Sequence, residues 1–548
     1  MASEAHAAAG GHPAEVAAAL EILTAGGNAV DAAIAGAFCA PVVEPNNAGL
    51  AGYGHLVAWD PERGEFLSVD HGPQAPGAAR PDMFDVEAAA ADPDAPYDAP
   101  PVVGGANGEG GRATAVPGMV QGLCEAHARA GRLPLAAVLE PAIRLADAGF
   151  EVDWPFALVT LGSYERLRAR GDAGWLLPDG IPPRPFDHWG PGTRIDMSGV
   201  ARTLERVAAE GPSAFTTGPI AQAIVDSLGD AGGVMTVDDL AAYRPTVTTE
   251  TPVAFAGYQV AVGDDDLSHL LLAMLERLPL PAGEPLSPLA LHLMAEAFGH
   301  AFADGVTWSG DPAATPELSR ILRSAAYADA RAAAIDPARA AARPIPPGPV
   351  ERDPLPATGG TSGTTQVVAR DADGGMAVVI TTIGADFGSG VSIPALSGFA
   401  NSGMANFDPR PGRANSIAPG KRPLFGVPTA IAVDARGRAV TGCGGSGGWA
   451  ITSSVTHALA NALLHGLGAA ESVGLPRVWC EGGVTYADDR IPADALDGLR
   501  ERGHPLRLRS LTPVSEPFAR ASLVLVDDAG AVQAASDPPW HGAVGVGA

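Results

Sequence analysis

"GGTSGTTQVVARDADGGMAVVITTIGADFGSG", residues 359–390, decides how this chain is read. Two runs rich in β-branched residues, "TTQVVARD" and "MAVVITTI", flank Asp373-Gly374, so the stretch reads as a β-hairpin. With Asp373-Gly374 as a two-residue turn, Thr364 falls opposite Ile383 and Thr365 opposite Thr382, which makes Thr364 and Thr382 neighbours. Antiparallel partners lie about 4.5–5.5 Å apart, and a bulge at Gly375 would shift the register by one residue. A hydroxyl pair at the start of a strand is therefore available. Threonine is also a good strand former, so the hairpin taken alone fits a purely structural role.

What precedes the hairpin gives the threonines a second meaning. Residues 336–363, "DPARAAARPIPPGPVERDPLPATGGTSG", hold seven prolines and read as an exposed connector ending in small residues. A threonine hydroxyl attacks poorly until a base takes its proton, and its own α-amine can be that base once the chain is cut before it. Such an amine has an intrinsic pKa of about 7.7–8.0, so a useful fraction is neutral near pH 7. A cut at Gly363-Thr364 would join the connector, the hairpin and the threonines in one chemistry.

Further out, residues 14–25 have helical periodicity and stop at Gly26-Gly27, and a second helix begins at Asn28. Asn28 with Asp31 three residues on predicts a capping box, and the following "AAIAGAFCA" is apolar on every face, as in a helix buried inside a domain. "VVEPNNAGLAGYGHLVAWD" is a Gly- and Asn-rich loop leading into a strand, not a strand leading into a dinucleotide-binding helix. Helical patterns dominate from about 114 to 335. β patterns dominate after 363, with "TAIAVD", "RAVTG" and "ASLVLVDD" as further strands and 449–468 as a helix.

Composition narrows the function. A net charge of −27 repels nucleic-acid backbones and anionic lipid surfaces, and no long uncharged apolar run predicts a membrane span. The start of the chain has no basic leader before an apolar stretch, so a cytoplasmic protein is expected. Cys39, Cys124, Cys443 and Cys480 are widely spaced and predict buried thiols, with neither a metal site nor a disulfide framework. Lys421 is the single lysine beside 34 arginines, which raises the question whether its position needs an amine.

In their order along the chain, these stretches resemble the γ-glutamyltransferase (γ-glutamyltranspeptidase) family of N-terminal-nucleophile hydrolases. "LEILTAGGNAVDAAIAGAF", "VVEPNNAGLAGYG", "ATAVPGMVQGL", "PLAAVLEPAIRLADAGF", "LAAYRP" and "LHLMAEAFGHAFAD" look like the family's successive segments. "GTTQVVARDADG" resembles its processing-site strand, and "FGSG", "GKRPL", the 442–448 glycine run and "AASDP" follow in order. The resemblance implies an α+β class and a four-layer αββα sandwich. It also implies self-cleavage between Gly363 and Thr364, giving a large chain 1–363 and a small chain 364–548 that stay together as a heterodimer forming one domain. Thr364 aligns with the nucleophile and Thr382 with the family's second threonine, which hydrogen-bonds it. Gly447 and Gly448 align with the glycines whose N–H groups hold the oxyanion, with Gly444 and Gly445 as a rival pair. No cofactor is implied, and the partner is a small-molecule amide or acyl substrate.

The substrate anchors depart from the family. Gly384 takes the place of an asparagine, Gly403 of a glutamine, Asn406 of an aspartate and Phe425-Gly426 of two serines, while Arg80 lies one residue from the family's arginine. Gln366 stands where histidine is usual, the segment between Phe407 and Lys421 is short for a lid, and "GDDDLSHLL", 263–271, replaces another wall. Losing a carboxylate that pairs an ammonium costs about 3 kcal/mol or more in a desolvated site, so the expected acyl group is not the usual γ-glutamyl. The leading expectation is an amidohydrolase or acyltransferase working through an acyl-enzyme on Thr364. C–C bond hydrolysis beside a carbonyl and a catalytically silent homologue are the alternatives.

Overall fold

The computed structural model describes residues 6–88, 97, 100–177, 180–186, 190–350, 363–512, 517–537 and 542–547. Before the connector the chain supplies strands β1 (His6–Gly10), β2 (Tyr53–Asp60), β3 (Glu65–His71), β4 (Thr246–Thr249), β5 (Val253–Phe255) and β6 (Tyr258–Ala261). After it come β7 (Thr365–Arg370), β8 (Met376–Thr382), β9 (Ala430–Val433), β10 (Ala439–Ser446), β11 (Arg520–Val526), β12 (Val532–Asp537) and β13 (Ala543–Gly547). One antiparallel sheet has the order β13-β1-β7-β8-β2-β3-β4, and a second the order β12-β11-β10-β9-β6-β5. Both sheets mix strands from before and after residue 363.

Side chains of successive residues leave a strand on opposite faces, and β7 and β8 use both. Val368, Met376 and Val378 point between the sheets, where they meet Val57, Ile431, Val433 and Val524. Val367, Ala369, Ala377 and Val379 point the other way, into a layer built from α1 (Pro13–Thr24), α2 (Ala29–Val43), α3 (Met119–Ala130), α4 (Leu135–Ala148), α5 (Trp154–Arg170) and α6 (Ser198–Glu210). The second sheet is covered by α7 (Asp266–Leu275), α8 (Pro288–Trp308) and α9 (Ile451–Leu463), through Leu271, Phe298, Phe302 and Ile451. Three apolar layers thus separate four layers of secondary structure, the expected αββα sandwich. Burial on both faces explains why every residue of β7 and β8 is buried and why neither strand shows polar alternation.

The caps act as their residue types predict. His12 Nδ1 accepts from Ala14 N at the start of α1, and Asn28 and Asp31 form the capping box of α2, whose residues are all buried. Asp31 does more than cap, because its carboxylate also accepts from the backbone N–H groups of Arg132 and Leu133. The four cysteines are buried and free. Lys421 Nζ donates to the carbonyl oxygens of Ala414 and Ser416 at 2.6 and 2.9 Å, a role in holding its own loop. No described helix is long and apolar enough to cross a membrane.

Two local expectations are corrected. The hairpin turn is not two residues long: Asp371 and Gly375 close a three-residue loop, with Gly374 at φ 91° and the Asp371 carboxylate accepting from Gly375 N at 2.7 Å. The same carboxylate accepts from Ala29 N at 3.0 Å, so the loop is braced by α2. The register therefore moves by one, pairing Thr365 with Thr381 and leaving Thr364 to face Thr382 directly. The connector is not exposed throughout its described part. Ile345 and Gly348 are buried, and Arg343 Nη2 donates to Glu296 Oε1 at 2.6 Å beside the hydrogen-bonded rings of His292 and His504. His292, Glu296 and His504 lie close enough together to resemble a metal site, but the arginine already balances the glutamate. Residues 351–362 lie outside the described residues.

Candidate active site

At the open end of the β7–β8 hairpin the two threonines meet. Thr364 Oγ1 donates to Thr382 Oγ1 at 3.3 Å, and Gly384 N donates to the same oxygen at 2.8 Å. With both acceptor positions of Thr382 occupied, its one proton points elsewhere, and it is donated to the carbonyl oxygen of Gly363. A chain of hydroxyls therefore brackets the Gly363-Thr364 peptide. Gly363 adopts φ 134°, and a Cβ there would lie 2.4 Å from Gly384 O, so only glycine fits before the nucleophile candidate.

Elements distant in sequence hold this end of the strand. The Gly- and Asn-rich loop after α2 turns its backbone toward the residues after β8: Asn47 O accepts from Ile383 N at 3.0 Å and Asn46 O from Phe387 N at 2.8 Å. Arg520, at the start of β11, donates through Nη2 to Thr364 O at 3.1 Å and through Nε to Ser446 Oγ at 2.7 Å, and its Nη1 lies 3.7 Å from Glu44 Oε1. Behind Arg520 sit two buried carboxyl groups. Burial, and then the charge of Glu44, raise the pKa of Glu15 well above its ordinary value; burial is also the largest influence on Glu44 and pushes it upward, but Arg520, His12 and the hydrogen bonds from Thr365 and Glu15 together outweigh it and the net shift is downward. The two shifts run in opposite directions, so Glu15 is the member of the pair that takes up a proton more readily. Thr365 Oγ1 is 3.3 Å from both Glu15 oxygens.

Sequence reading missed Arg520, Glu15 and Glu44. Glu15 and Glu44 had a weak signal, charged residues inside otherwise apolar stretches next to a glycine loop, while an arginine opening a strand gives none. Gln366 is a tie between sheets: it sits on β7 and its Nε2 donates to Ser522 Oγ of β11 at 2.9 Å.

Thr364, only 4% exposed, lies at the wall of a cavity of about 1280 Å³. Gly363, Gly447, Arg520 and Glu44 line the same cavity. Gly447 and Gly448 follow the end of β10 and lead into α9, whereas Gly444 and Gly445 are inside β10, paired with Ser522 and Ala521. Of the two glycine pairs, only 447–448 contributes a residue, Gly447, to the lining of the cavity that Thr364 lines.

The expected substrate positions gather elsewhere. Asn406 Nδ2 donates to Tyr53 Oη at 3.1 Å, and the Phe425 ring meets the Tyr53 ring edge-on at 5.1 Å. Gly384 adjoins them: a Cβ on it would lie 2.3 Å from Ser402 Oγ and 3.2 Å from Tyr53 Oη. Gly426 packs on Trp449, and Gly403 is enclosed by Pro73, Ala115 and Asn401. Tyr53 is fully buried, so this flank of the hairpin is filled by aromatic rings. Arg80 is a surface residue, its side chain 73% exposed and 3.4 Å from Asp82, and it is not among the residues that line the cavity of Thr364.

A family model described as Gamma-glutamyltranspeptidase matches residues 16–547. The chain is 36% identical over 508 residues to the Acylase ACY 1 proenzyme of Pseudomonas sp. (strain SE83), covering 90% of this chain and 86% of that one. It is 28% identical over 509 residues to the Glutathione hydrolase proenzyme of Bacillus subtilis (strain 168), covering 90% and 84%. Among solved structures, cephalosporin acylase from Bacillus halodurans superposes with a TM-score of 0.84 over 100% of this chain and 96% of that chain at 24% identity, which is a likeness of fold.

Proposed function

The chain belongs to the gamma-glutamyltranspeptidase family, and on that premise we propose that it cleaves itself before Thr364 and then carries acyl groups on the Thr364 hydroxyl. The observation that carries this reading is the hydroxyl chain from Thr364 Oγ1 through Thr382 Oγ1 to Gly363 O. In the precursor, Thr364 Oγ1 attacks the Gly363 carbonyl carbon while Thr382 donates to the carbonyl oxygen. The hydroxyl proton passes to the Thr364 nitrogen as the C–N bond breaks and the new ester forms, and water then opens the ester. The products are a Gly363 carboxylate and a free Thr364 α-amine.

In the mature enzyme that amine takes the hydroxyl proton as Oγ1 bonds to the substrate carbonyl carbon. Negative charge gathers on the carbonyl oxygen, where the Gly447 and Gly448 N–H groups are its stabilising donors. The leaving amine takes the proton back from the α-ammonium, and water or an acceptor amine repeats the sequence on the ester. Arg520 is a positioning residue: it fixes the Thr364 carbonyl and so the direction of the hydroxyl. Turnover rises as pH passes upward through the amine's titration, whose intrinsic value for a free α-amine is about 7.7–8.0, because only the neutral amine accepts the proton.

The acyl group is not a γ-glutamyl group held in the usual way, since Tyr53, Asn406 and Phe425 fill that flank. The name of the Pseudomonas acylase proenzyme supports the same direction. The two chains stay joined after the cut because each large sheet is assembled from both, with β7 hydrogen-bonded between β1 and β8.

Denaturing electrophoresis with N-terminal sequencing tests the reading. Wild type gives two fragments, the smaller starting at Thr364, and Thr364→Ala stays intact. A wild-type chain that remains whole on long incubation, or a fragment starting elsewhere, rejects it.

A further inference from the structure

α5 turns an apolar stripe toward the cavity of Thr364. Trp154, Leu158 and Leu161 recur at i, i+4 and i+7 and so lie on one helical face, and all three line the cavity that Thr364 and Gly447 line. Trp154 is 41% and Leu161 61% exposed, and Phe186, 53% exposed, joins the same wall. Few large apolar side chains on the described surface are this open, and three of them converge here. A water-exposed apolar wall of this size in one cavity marks a binding surface. The volume of about 1280 Å³ exceeds the range of roughly 300–1,000 Å³ usual for sites that enclose small molecules.

The other flank of the nucleophile offers no such space, because Tyr53 is buried there and Phe425 and Asn406 lie against it. A substrate carbonyl placed between Thr364 Oγ1 and Gly447 must then send its acyl chain into the open cavity. We infer that the site accepts an extended apolar acyl group, aliphatic or aryl-aliphatic, laid along Trp154, Leu158, Leu161 and Phe186. This rests on the acyl-enzyme reading above and gives it a substrate class. The bonds made and broken are those of that reading: Oγ1 bonds to the acyl carbon, and the amine leaves with the proton.

The experiment uses the self-cleaved enzyme and N-acyl 4-nitroanilides from acetyl to dodecanoyl, with kcat/KM read from released nitroaniline. Each added methylene is expected to raise kcat/KM about two- to fourfold until the wall is covered. Leu161→Glu and Phe186→Ser, both at exposed positions and checked for folding by thermal melting, are expected to lower the decanoyl-to-acetyl ratio at least about tenfold. A flat chain-length series, or a ratio untouched by both variants, overturns the inference while the acyl-enzyme stands. So does a length dependence found only when the chain is moved to the leaving amine. Calorimetric binding of decanoyl nitroanilide separates the two readings. Binding that Leu161→Glu weakens, without any nitroaniline release, supports the apolar site and rejects the acyl-enzyme; absence of binding and turnover rejects both.

Discussion

The two flanks of the β7–β8 hairpin end are built from different chemistry. On one, Ser402 and Tyr53 close against Gly384, and Asn406 and Phe425 lie against the buried Tyr53. On the other, Arg520 and Glu44, backed by the buried carboxyl group of Glu15, open onto the wide cavity. The nucleophile candidate sits between them with its hydroxyl directed by Thr382. The difference teaches that the reactive end of the hairpin and the recognition of substrate are separable: the first is kept by a few hydrogen bonds, and the second, on the inference above, uses the open flank.

The largest effect is expected on the charged flank. Arg520→Met removes the partner of a buried carboxylate and should cost about 3–5 kcal/mol, seen as a lower denaturation midpoint together with slower self-cleavage. An unchanged midpoint would mean that Glu44 is satisfied without Arg520, and the cluster would lose its place in the comparison.

Between the flanks, Thr382→Ala should slow both self-cleavage and turnover by about ten- to a hundredfold, which corresponds to roughly 1.4–2.7 kcal/mol of lost orientation. Wild-type rates would leave the threonine pair as strand formers only. The variant should still melt near wild type, because the surrounding strands are unaltered.

A smaller effect separates the two carboxyl groups. Glu15 has a folded-state pKa raised above its unfolded value near 4.5 by burial and by Glu44, so the folded protein binds the proton more tightly than the unfolded chain. Stability tied to that proton is complete below pH 4.5 and declines as pH rises toward the folded value. Glu15→Gln keeps the neutral shape and should raise the melting temperature by about 1–3 °C at pH 8 with little difference at pH 4.5. A gain that is equal at both pH values would show that Glu15 is ionised throughout.

The smallest effect belongs to the closed flank. Asn406→Asp restores a carboxylate at the family's aspartate position, yet Tyr53 and Phe425 still fill the volume, so γ-glutamyl anilide turnover should change by less than about threefold. A large gain would show that this flank opens to substrate and would erase the contrast.

How far the sequence led differs by element. The capping box at Asn28, the fully apolar α2, the hairpin and its threonine pair were legible because each depends on neighbours within a few residues or on a period of 2 or 3.6. The register was read one residue off, since a two-residue and a three-residue loop share the same Asp-Gly signal. The choice was made by Asp371, whose carboxylate binds Gly375 and, through the fold, Ala29. Gly447–448 and Gly444–445 look alike in sequence. They part only because β10 ends between them.

By itself, then, the amino-acid sequence determined the strand and helix periods, the glycine before Thr364 and the hydroxyl pair across the hairpin, all of which are local consequences of residue type and spacing. Only the tertiary structure decided which flank is open and what aims the nucleophile. Arg520 reaches Thr364 across 156 residues of chain, Tyr53 meets Asn406 across 353, and α5 turns its apolar stripe to the cavity. Such contacts are set by how the two sheets and their helices stack, and burial together with the neighbouring charges then shifts Glu15 and Glu44 in opposite directions, which no local pattern encodes.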